Sequence, residues 1–223
     1  MKVITFTKPV KNESNGLPKS YLEFIGEYGY GTYCGLINIT QPDEQVIHRT
    51  FSEFDFWEFD KNFTKQDLRR AIQLASTTDG DMICYVENKP DHLFILPRNS
   101  ETILGFENLK DVFLFYQENY QLSGLYFEPS WGRKTELFSL IHDEKLLDIK
   151  VLHKQFLKDF EYDSVIGKEQ PKYVIEKIGG WVKFDLLYKN SITISYQFIE
   201  HSDNAYSTYL DYLKKEIKQL KTL

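Results

Sequence analysis

Few residues in this sequence have the types and spacing that an active site requires. Asp79 and Asp81 flank Gly80, and two carboxylates so placed could hold a divalent cation, although no further oxygen or nitrogen ligand follows at a recognisable spacing. Aspartate and glycine are also frequent in the tight turns before strands, because they suit the backbone geometry there. We therefore expect a turn at these residues, and neither a metal nor another cofactor.

Two histidine-containing groups could contribute to a catalytic triad. They are His142-Asp143 and His201-Ser202-Asp203. However, the chain has no nucleophile elbow, and its five histidines include no pair at i, i+4 on a predicted helix. We therefore predict that the protein is not an enzyme.

A segment of alternating acids and rings favours binding instead. Residues 53–60 interleave four acidic residues with four large aromatic ones and contain no basic residue. The rings could pack inward while the acids stay in water, or the segment could form a surface whose rings supply contact area and whose acids attract a basic partner. The candidate partner-binding residues are Glu53, Asp55, Trp57, Glu58 and Asp60.

The charge distribution points to the same class of partner. Residues 1–120 contain 12 Lys and Arg against 18 Asp and Glu, whereas residues 121–223 contain 15 of each. Phosphate contacts need a basic surface, so the acidic first part argues against nucleic acid as a ligand. A negative field accelerates association with a basic protein. We expect a basic protein partner.

Cysteine usage and hydropathy indicate the compartment. No apolar run is long enough to span a bilayer, and the N-terminus lacks the apolar core of a signal peptide. Cys34 and Cys84 both lie in predicted strands, where each is expected to be a small buried hydrophobic residue rather than half of a disulfide. These features predict a cytoplasmic protein that does not bind membranes.

The elements that position these residues are clearest in residues 17–43. Pro18 suits the first turn of a helix, and Gly29 suits its end, where a left-handed backbone favours glycine. A strand is predicted over residues 32–39, in which Gly35 indicates a bulge or a close backbone approach. One apolar face of the helix is expected to comprise Tyr21, Leu22, Ile25 and Tyr28.

Residues in this stretch and in the later Asp-Gly turn resemble the SMI1/KNR4 family, also called the SUKH superfamily, over residues 14–120. Most members are intracellular binding proteins, and many bacterial ones are immunity proteins that neutralise toxins. The resemblance implies an immunity protein that binds a basic toxin domain, such as a nuclease, or alternatively a housekeeping regulatory or scaffold protein. The family usually has a richer glycine turn at residues 78–81. The residues that carry the resemblance are Leu17, Pro18, Tyr28, Gly29, Gly31, Gly35, Asp79, Gly80 and Asp81.

The rest of the first half alternates helices and strands. Thr64 is a predicted N-cap with Asp67 as its capping-box partner, and the helix is expected to cover residues 64–75. A turn at residues 77–80 leads into a strand over 81–86, an antiparallel return strand over 92–97 and a helix over 108–120. In the resembled family, this helix closes the domain.

The second half predicts a meander covered by a helix. Residues 136–160 are expected to be largely helical, followed by strands over 173–178, 181–188 and 191–199, the first two joined by Gly179-Gly180. One face of the last strand is polar, and an amphipathic helix follows from Tyr206 to Leu220. The predicted fold is α+β: a mixed, mostly antiparallel sheet with flanking helices over 1–120, then a β-meander plus helix as an extension or accessory domain over 121–223.

Overall fold

A computed structural model describes residues 1–11, 16–51, 53, 55–122, 124–143, 145–198 and 205–221. The chain forms two compact units: unit 1 comprises Met1–Val3 and Thr7–Trp131, and unit 2 comprises Ile4–Phe6 and Gly132–Leu223. The division follows Trp131, whereas the sequence placed it after residue 120, because a strand at Tyr126–Pro129 still pairs within the first sheet. The fold is α+β, as predicted.

Unit 1 is built on an eight-stranded sheet with the order β1-β8-β2-β3-β4-β5-β6-β7. All of its neighbouring strands are antiparallel except the β1–β8 pair, so the sheet is mixed and mostly antiparallel, as expected. The strands are β1 (Lys2–Val3), β2 (Gly31–Tyr33), β3 (Ile37–Asp43), β4 (Ala71–Thr77), β5 (Met82–Val86), β6 (Leu93–Leu96), β7 (Leu104–Phe106) and β8 (Tyr126–Pro129). The helices are α1 (Lys19–Tyr28), α2 (Val46–Phe51), α3 (Lys65–Leu68) and α4 (Leu109–Asn119).

Both faces of this sheet are covered by apolar clusters. Successive side chains of a strand point to opposite faces, so Ile83 and Tyr85 of β5 join one cluster, while Met82 and Cys84 join the other. Helices α1 and α4 cover the first face. Helices α2 and α3 cover the second, together with the chain around Trp57.

Helix α1 confirms the local signals of its sequence. Its N-cap is Pro18, and Tyr21 and Ile25 of the predicted apolar face are fully buried. Gly29 ends the helix with a φ of 75° and donates its N–H to the carbonyl of Ile25. A Cβ on Gly29 would lie 2.4 Å from the carbonyl oxygen of Lys8, so close backbone contact requires a glycine there as well.

The strand predicted over residues 32–39 is a hairpin instead. Cys34 and Gly35 have φ values of 50° and 69° and form the tight turn between β2 and β3. Two successive positive φ angles are typical of short hairpin turns, which explains the glycine without a bulge. Cys34 therefore lies in a turn rather than in a strand. Both cysteines are free, as predicted, and burial raises the pKa of each thiol.

The helix predicted over residues 64–75 is wrong beyond its first turn. The capping box of Thr64 and Asp67 is present, but α3 ends at Leu68 and residues 71–77 form β4. Strand β4 lies between β3 and β5 and is buried on both faces, so pairing on both sides outweighs helix propensity. The elements expected over 81–86, 92–97 and 108–120 are confirmed as β5, β6 and α4.

Unit 2 is a five-stranded antiparallel sheet covered by two helices. Its strand order is β12-β13-β14-β15-β9, and β10 and β11 form a separate small hairpin. The elements are β9 (Arg133–Ser139), β10 (Ile141–His142), β11 (Lys145–Leu146), α5 (Ile149–Asp159), β12 (Ser164–Ile166), β13 (Lys172–Ile175), β14 (Gly180–Phe184), β15 (Ser191–Gln197) and α6 (Ala205–Lys221). The predicted meander with its covering helix is confirmed.

Three predictions in unit 2 need correction. Residues 136–160 are helical only from Ile149 onward, because β9 pairs along its whole length with β15. The turn before β14 is a short 3-10 helix, Glu176–Ile178, that ends at Gly179 in a left-handed conformation, and Gly180 already belongs to β14. Strand β14 also ends at Phe184, well before residue 188.

The polar face of β15 is buried as well as the apolar one. Ser195 accepts hydrogen bonds from Arg133 and Thr135, and Gln197 exchanges two hydrogen bonds with the backbone of Phe6. The meander was expected to have one buried side, whereas both sides of β15 are covered. In the described part of the chain, no helix combines the length and the apolar character that crossing a membrane would require.

Candidate functional site

Trp57, proposed from the sequence as a partner contact, belongs to the core of unit 1. Its side chain is 4% exposed, and its indole Nε1 donates a hydrogen bond of 2.8 Å to the carbonyl of Pro97. The rings of Phe51 and Phe56 lie beside it. A buried ring supplies no contact area to a partner, so the packing interpretation is right for Trp57.

The first two acids of the segment are paired with basic residues of unit 1. Glu53 accepts a hydrogen bond of 2.9 Å from the guanidinium of Arg69. Asp55 pairs with Lys65. All four side chains are substantially exposed, so these pairs contribute little to stability. The basic partners nevertheless offset the negative charge of Glu53 and Asp55.

The last two acids lie where the chain leaves the sheet. Glu58 forms a single parallel bridge with Thr102, and its N–H donates to the carbonyl of Glu101. Asp60 then closes a turn by accepting the N–H groups of Phe63 and Asn62 at 2.9 and 2.8 Å. These hydrogen bonds, led by that from Phe63, lower the pKa of the Asp60 carboxyl. The turn directs the chain away from β7 and towards α3.

The departure of the chain leaves a groove of about 920 Å³ on unit 1, called here the β7 groove. Its floor contains the rings of Phe63 and Phe94, whose centroids are 4.8 Å apart. Gly105 of β7 pairs with Phe94 and is exposed. The lining comprises residues 58–63, 88–92, 94, 102, 103 and 105–107.

Carboxylates dominate the rim of the β7 groove. Glu58, Asp60, Asp91 and Glu107 line it, and all four are exposed, as is one basic residue of the lining, Lys61. Within the described residues, no salt bridge involves Glu58, Asp91 or Glu107. A basic side chain of a partner could therefore form a salt bridge with one of these three carboxylates.

Lys89, a lysine in the lining, is held by unit 1 itself. Its Nζ donates to the Oδ2 of Asp67 at 2.7 Å and to the carbonyl of Asn62 at 2.6 Å. Burial raises the pKa of Asp67, but the hydrogen bonds from Lys89 and Thr64 outweigh it and keep that pKa below its ordinary value. The pair of Lys89 and Asp67 fixes one wall of the groove, and the carboxylate of Asp67 offsets the charge of Lys89.

The Asp-Gly turn before β5 has a structural role. Tyr116 donates to Oδ2 of Asp81 at 2.8 Å, the N–H of Arg98 donates to its Oδ1 at 2.9 Å, and Tyr120 donates to Asp79. Burial and the neighbouring Asp81 raise the pKa of Tyr116, and the hydrogen bond to Asp79 raises that of Tyr120 to about 12. The turn, completed by Gly80 with a φ of 96°, anchors α4. Among the described residues, no three potential metal ligands are grouped.

The remaining residues singled out in the sequence are not brought together. Leu17 and Tyr28 pack against the first cluster of unit 1. A Cβ on Gly31 would lie 2.3 Å from the carbonyl oxygen of Glu128, so this glycine serves strand packing. His142 lies 3.5 Å from its neighbour Asp143 at the surface, and residues 201–203 lie outside the described residues.

Sequence reasoning missed most of the groove lining. Phe94, Gly105, Asp91 and Glu107 were not candidates, since they lie far along the chain from residues 53–60. Gly105 carried a signal, because an isolated glycine in a strand indicates a close approach by another group. No family model, curated protein or solved structure matches the chain. The resemblance to SMI1/KNR4 proteins therefore stays a prediction.

Proposed function

We propose that this protein is a non-catalytic intracellular binding protein that neutralises a basic toxin by direct contact, and that the β7 groove receives part of the toxin. The observation that carries the proposal is the rim of exposed carboxylates around an aromatic floor. A housekeeping regulatory or scaffold role is the alternative, since it would use the same kind of surface.

Charge and rings have separate tasks in this proposal. The carboxylates of Glu58, Asp91 and Glu107 accelerate encounter with a basic domain, an effect that acts on the association rate and weakens with salt. The partly exposed rings of Phe59 and Phe106 in the groove lining offer apolar contact area once the partner has arrived, an effect that acts on the dissociation rate. A nuclease domain suits this surface because its substrate-binding face is basic.

The hydrogen bonds of Asp79 and Asp81, the best acidic candidates for catalysis, support the proposal that the protein is not an enzyme. Asp81 accepts two hydrogen bonds and Asp79 one, all within unit 1. We expect the purified protein to show no turnover of esters, phosphodiesters, peptides or glycosides, with or without added metal. Turnover that Asp81→Ala abolishes while the fold survives would overturn this part of the proposal.

The binding proposal is tested with a partner isolated from the native cell. The groove variant carries Glu58→Lys, Asp91→Lys and Glu107→Lys. Its matched control carries Glu44→Lys, Glu118→Lys and Asp211→Lys, which change the net charge equally at exposed positions outside the groove. We expect the groove variant to associate about tenfold more slowly or worse at low salt, and the control to associate nearly as fast as the wild type.

Toxicity separates the two functional alternatives. If the partner stops growth when expressed alone, and co-expression of the wild type but not of the groove variant restores growth, the immunity role holds. A partner that is harmless when expressed alone supports the housekeeping alternative. Equal association of the groove variant and its control would remove the β7 groove from either function.

A further inference from the structure

The free edge of β7 borders the groove. Strand β7 is the last strand in the sheet of unit 1 and pairs with β6 through Leu104, Gly105 and Phe106. In the described part of the chain, no further strand pairs with it. The nearest other pairing is the bridge of Glu58 with Thr102, just before β7. An unpaired edge presents backbone N–H and C=O groups that can bind an extended segment.

The chain itself shows where such a segment would run. Residues around Glu58 begin to pair alongside the chain that enters β7, and the Asp60 turn then removes them. Residues 102, 103 and 105–107, which include part of β7, line the β7 groove. Strand β7 is short, which limits pairing, but it carries no charged side chain and no proline, which are other devices that protect an edge.

Gly105 makes room for a side chain of the incoming segment. A Cβ on Gly105 would lie 3.6 Å from the ring of Phe94, an ordinary contact distance, so the absent side chain leaves space at Gly105. The ring of Phe94 is itself buried, so the exposed surface here is that of Gly105. With Glu58 and Glu107 on the rim, the charge favours a lysine or arginine side chain in this space.

We propose that the β7 groove binds an extended segment of the partner protein, which adds as a strand to β7 and places a lysine or arginine side chain at Gly105, among the carboxylates of the rim. The inference rests on the proposed function and specifies how the groove recognises its partner. Backbone pairing supplies affinity independent of sequence, and the acidic rim selects a basic side chain.

A display library of short random peptides tests the side-chain selection. The bait is the full chain, with Gly105→Trp as the blocked variant, because an indole at this position would fill the space at Gly105. Gly26→Trp is the matched control, since Gly26 is an exposed residue of α1 with nothing within 4 Å of its Cβ position. Thermal melts verify that both variants fold.

We expect enrichment of peptides with lysine or arginine at alternate positions, bound about tenfold more weakly by Gly105→Trp than by Gly26→Trp. Enriched peptides that are acidic, or that bind both variants equally, would overturn the proposal. So would the absence of any enriched peptide.

Hydrogen exchange with a selected peptide tests the strand addition itself. We expect slower exchange of amides in β7, and about tenfold weaker binding when alternate peptide nitrogens are methylated, because methylation removes the donors of the ladder. If the methylated peptide binds as well as the original while the Glu58, Asp91 and Glu107 lysine variant does not, the groove still binds basic segments and only the strand addition fails. This outcome leaves the proposed function standing.

Discussion

The large sheets of the two units differ in how their faces and edges are covered. In unit 1, apolar clusters cover both faces and the last strand, β7, ends the sheet with three uncharged residues beside a groove. In unit 2, an apolar cluster covers one face and hydrogen-bonded polar residues cover the other. Its edge strand β9 carries Arg133, Lys134 and Glu136. Charged residues protect an edge against pairing, so β7 is better suited than β9 to accept another strand, although β12, the other edge strand of unit 2, also carries no charged residue.

The comparison predicts first that unit 1 depends on the packing of its second apolar face. Trp57→Ala should lower the free energy of unfolding by about 3–5 kcal/mol, because it empties a buried site and removes the hydrogen bond to Pro97. Urea unfolding measures the loss. Trp57→Phe is the control that keeps most of the ring and should cost much less. If Trp57→Ala unfolds like the wild type and instead speeds dissociation of the partner, the ring is a binding anchor.

In unit 2, the largest single effect is expected from backbone crowding. A Cβ on Gly180 would lie 1.8 Å from the carbonyl oxygen of Ser195, a contact that only movement of β14 or β15 can relieve. Gly180→Ala should therefore cost about 3 kcal/mol in urea unfolding. Gly26→Ala in α1 has open space around it and should stabilise by up to about 1 kcal/mol. Equal stability of the two variants would show that β14 and β15 can separate without cost.

The polar face of unit 2 can be tested at Gln197. Its side chain donates to the carbonyl of Phe6 at 2.8 Å and accepts the N–H of the same residue at 3.0 Å. Gln197→Leu should cost about 1–3 kcal/mol, because two backbone groups lose their partners. Gln197→Glu keeps the acceptor but loses the donor and buries a carboxylate against the Phe6 carbonyl, so it should cost at least as much as the leucine variant. A leucine variant as stable as the wild type would show that this face behaves like the apolar faces of unit 1.

The smallest expected effect is a pH dependence on the apolar face of unit 2. Nε2 of His153 lies 2.6 Å from the hydroxyl of Tyr173, and burial lowers the pKa of His153 below 6.5. As the pH falls below 6.5, the unfolded chain binds a proton at His153 before the folded chain does. The stability that the neutral ring provides is therefore present above pH 6.5 and is lost as the pH falls through the folded pKa. His153→Gln should reduce the change of the free energy of unfolding with pH in this window. An unchanged slope would assign the dependence to other groups.

Local chemistry made several elements predictable. The capping box of Thr64 and Asp67 depends on residues three apart, and the helix end at Gly29 depends on one backbone angle. The same holds for the Asp-Gly turn before β5 and for the covering helix α6, whose apolar side chains recur at helical spacing. The resemblance and the immunity role drawn from it are not tested by these agreements.

Long-range pairing defeated the remaining predictions. Residues 71–75 and 136–139 fall within predicted helices, and both belong to strands because partners distant in sequence pair with them, β9 with β15 about sixty residues later. The free energy of a strand comes from its neighbours, which the local sequence does not contain.

The acidic and aromatic composition of residues 53–60 was decided by the sequence alone, as was the excess of acids in residues 1–120. Only the tertiary structure decided the use of each residue: Trp57 packs in the core, Glu53 and Asp55 meet basic side chains, and Glu58 and Asp60 line a groove. Composition sets which interactions a segment can make. Which of them form depends on what β6, β7 and α3 place beside that segment, because burial and pairing are properties of the assembled neighbourhood.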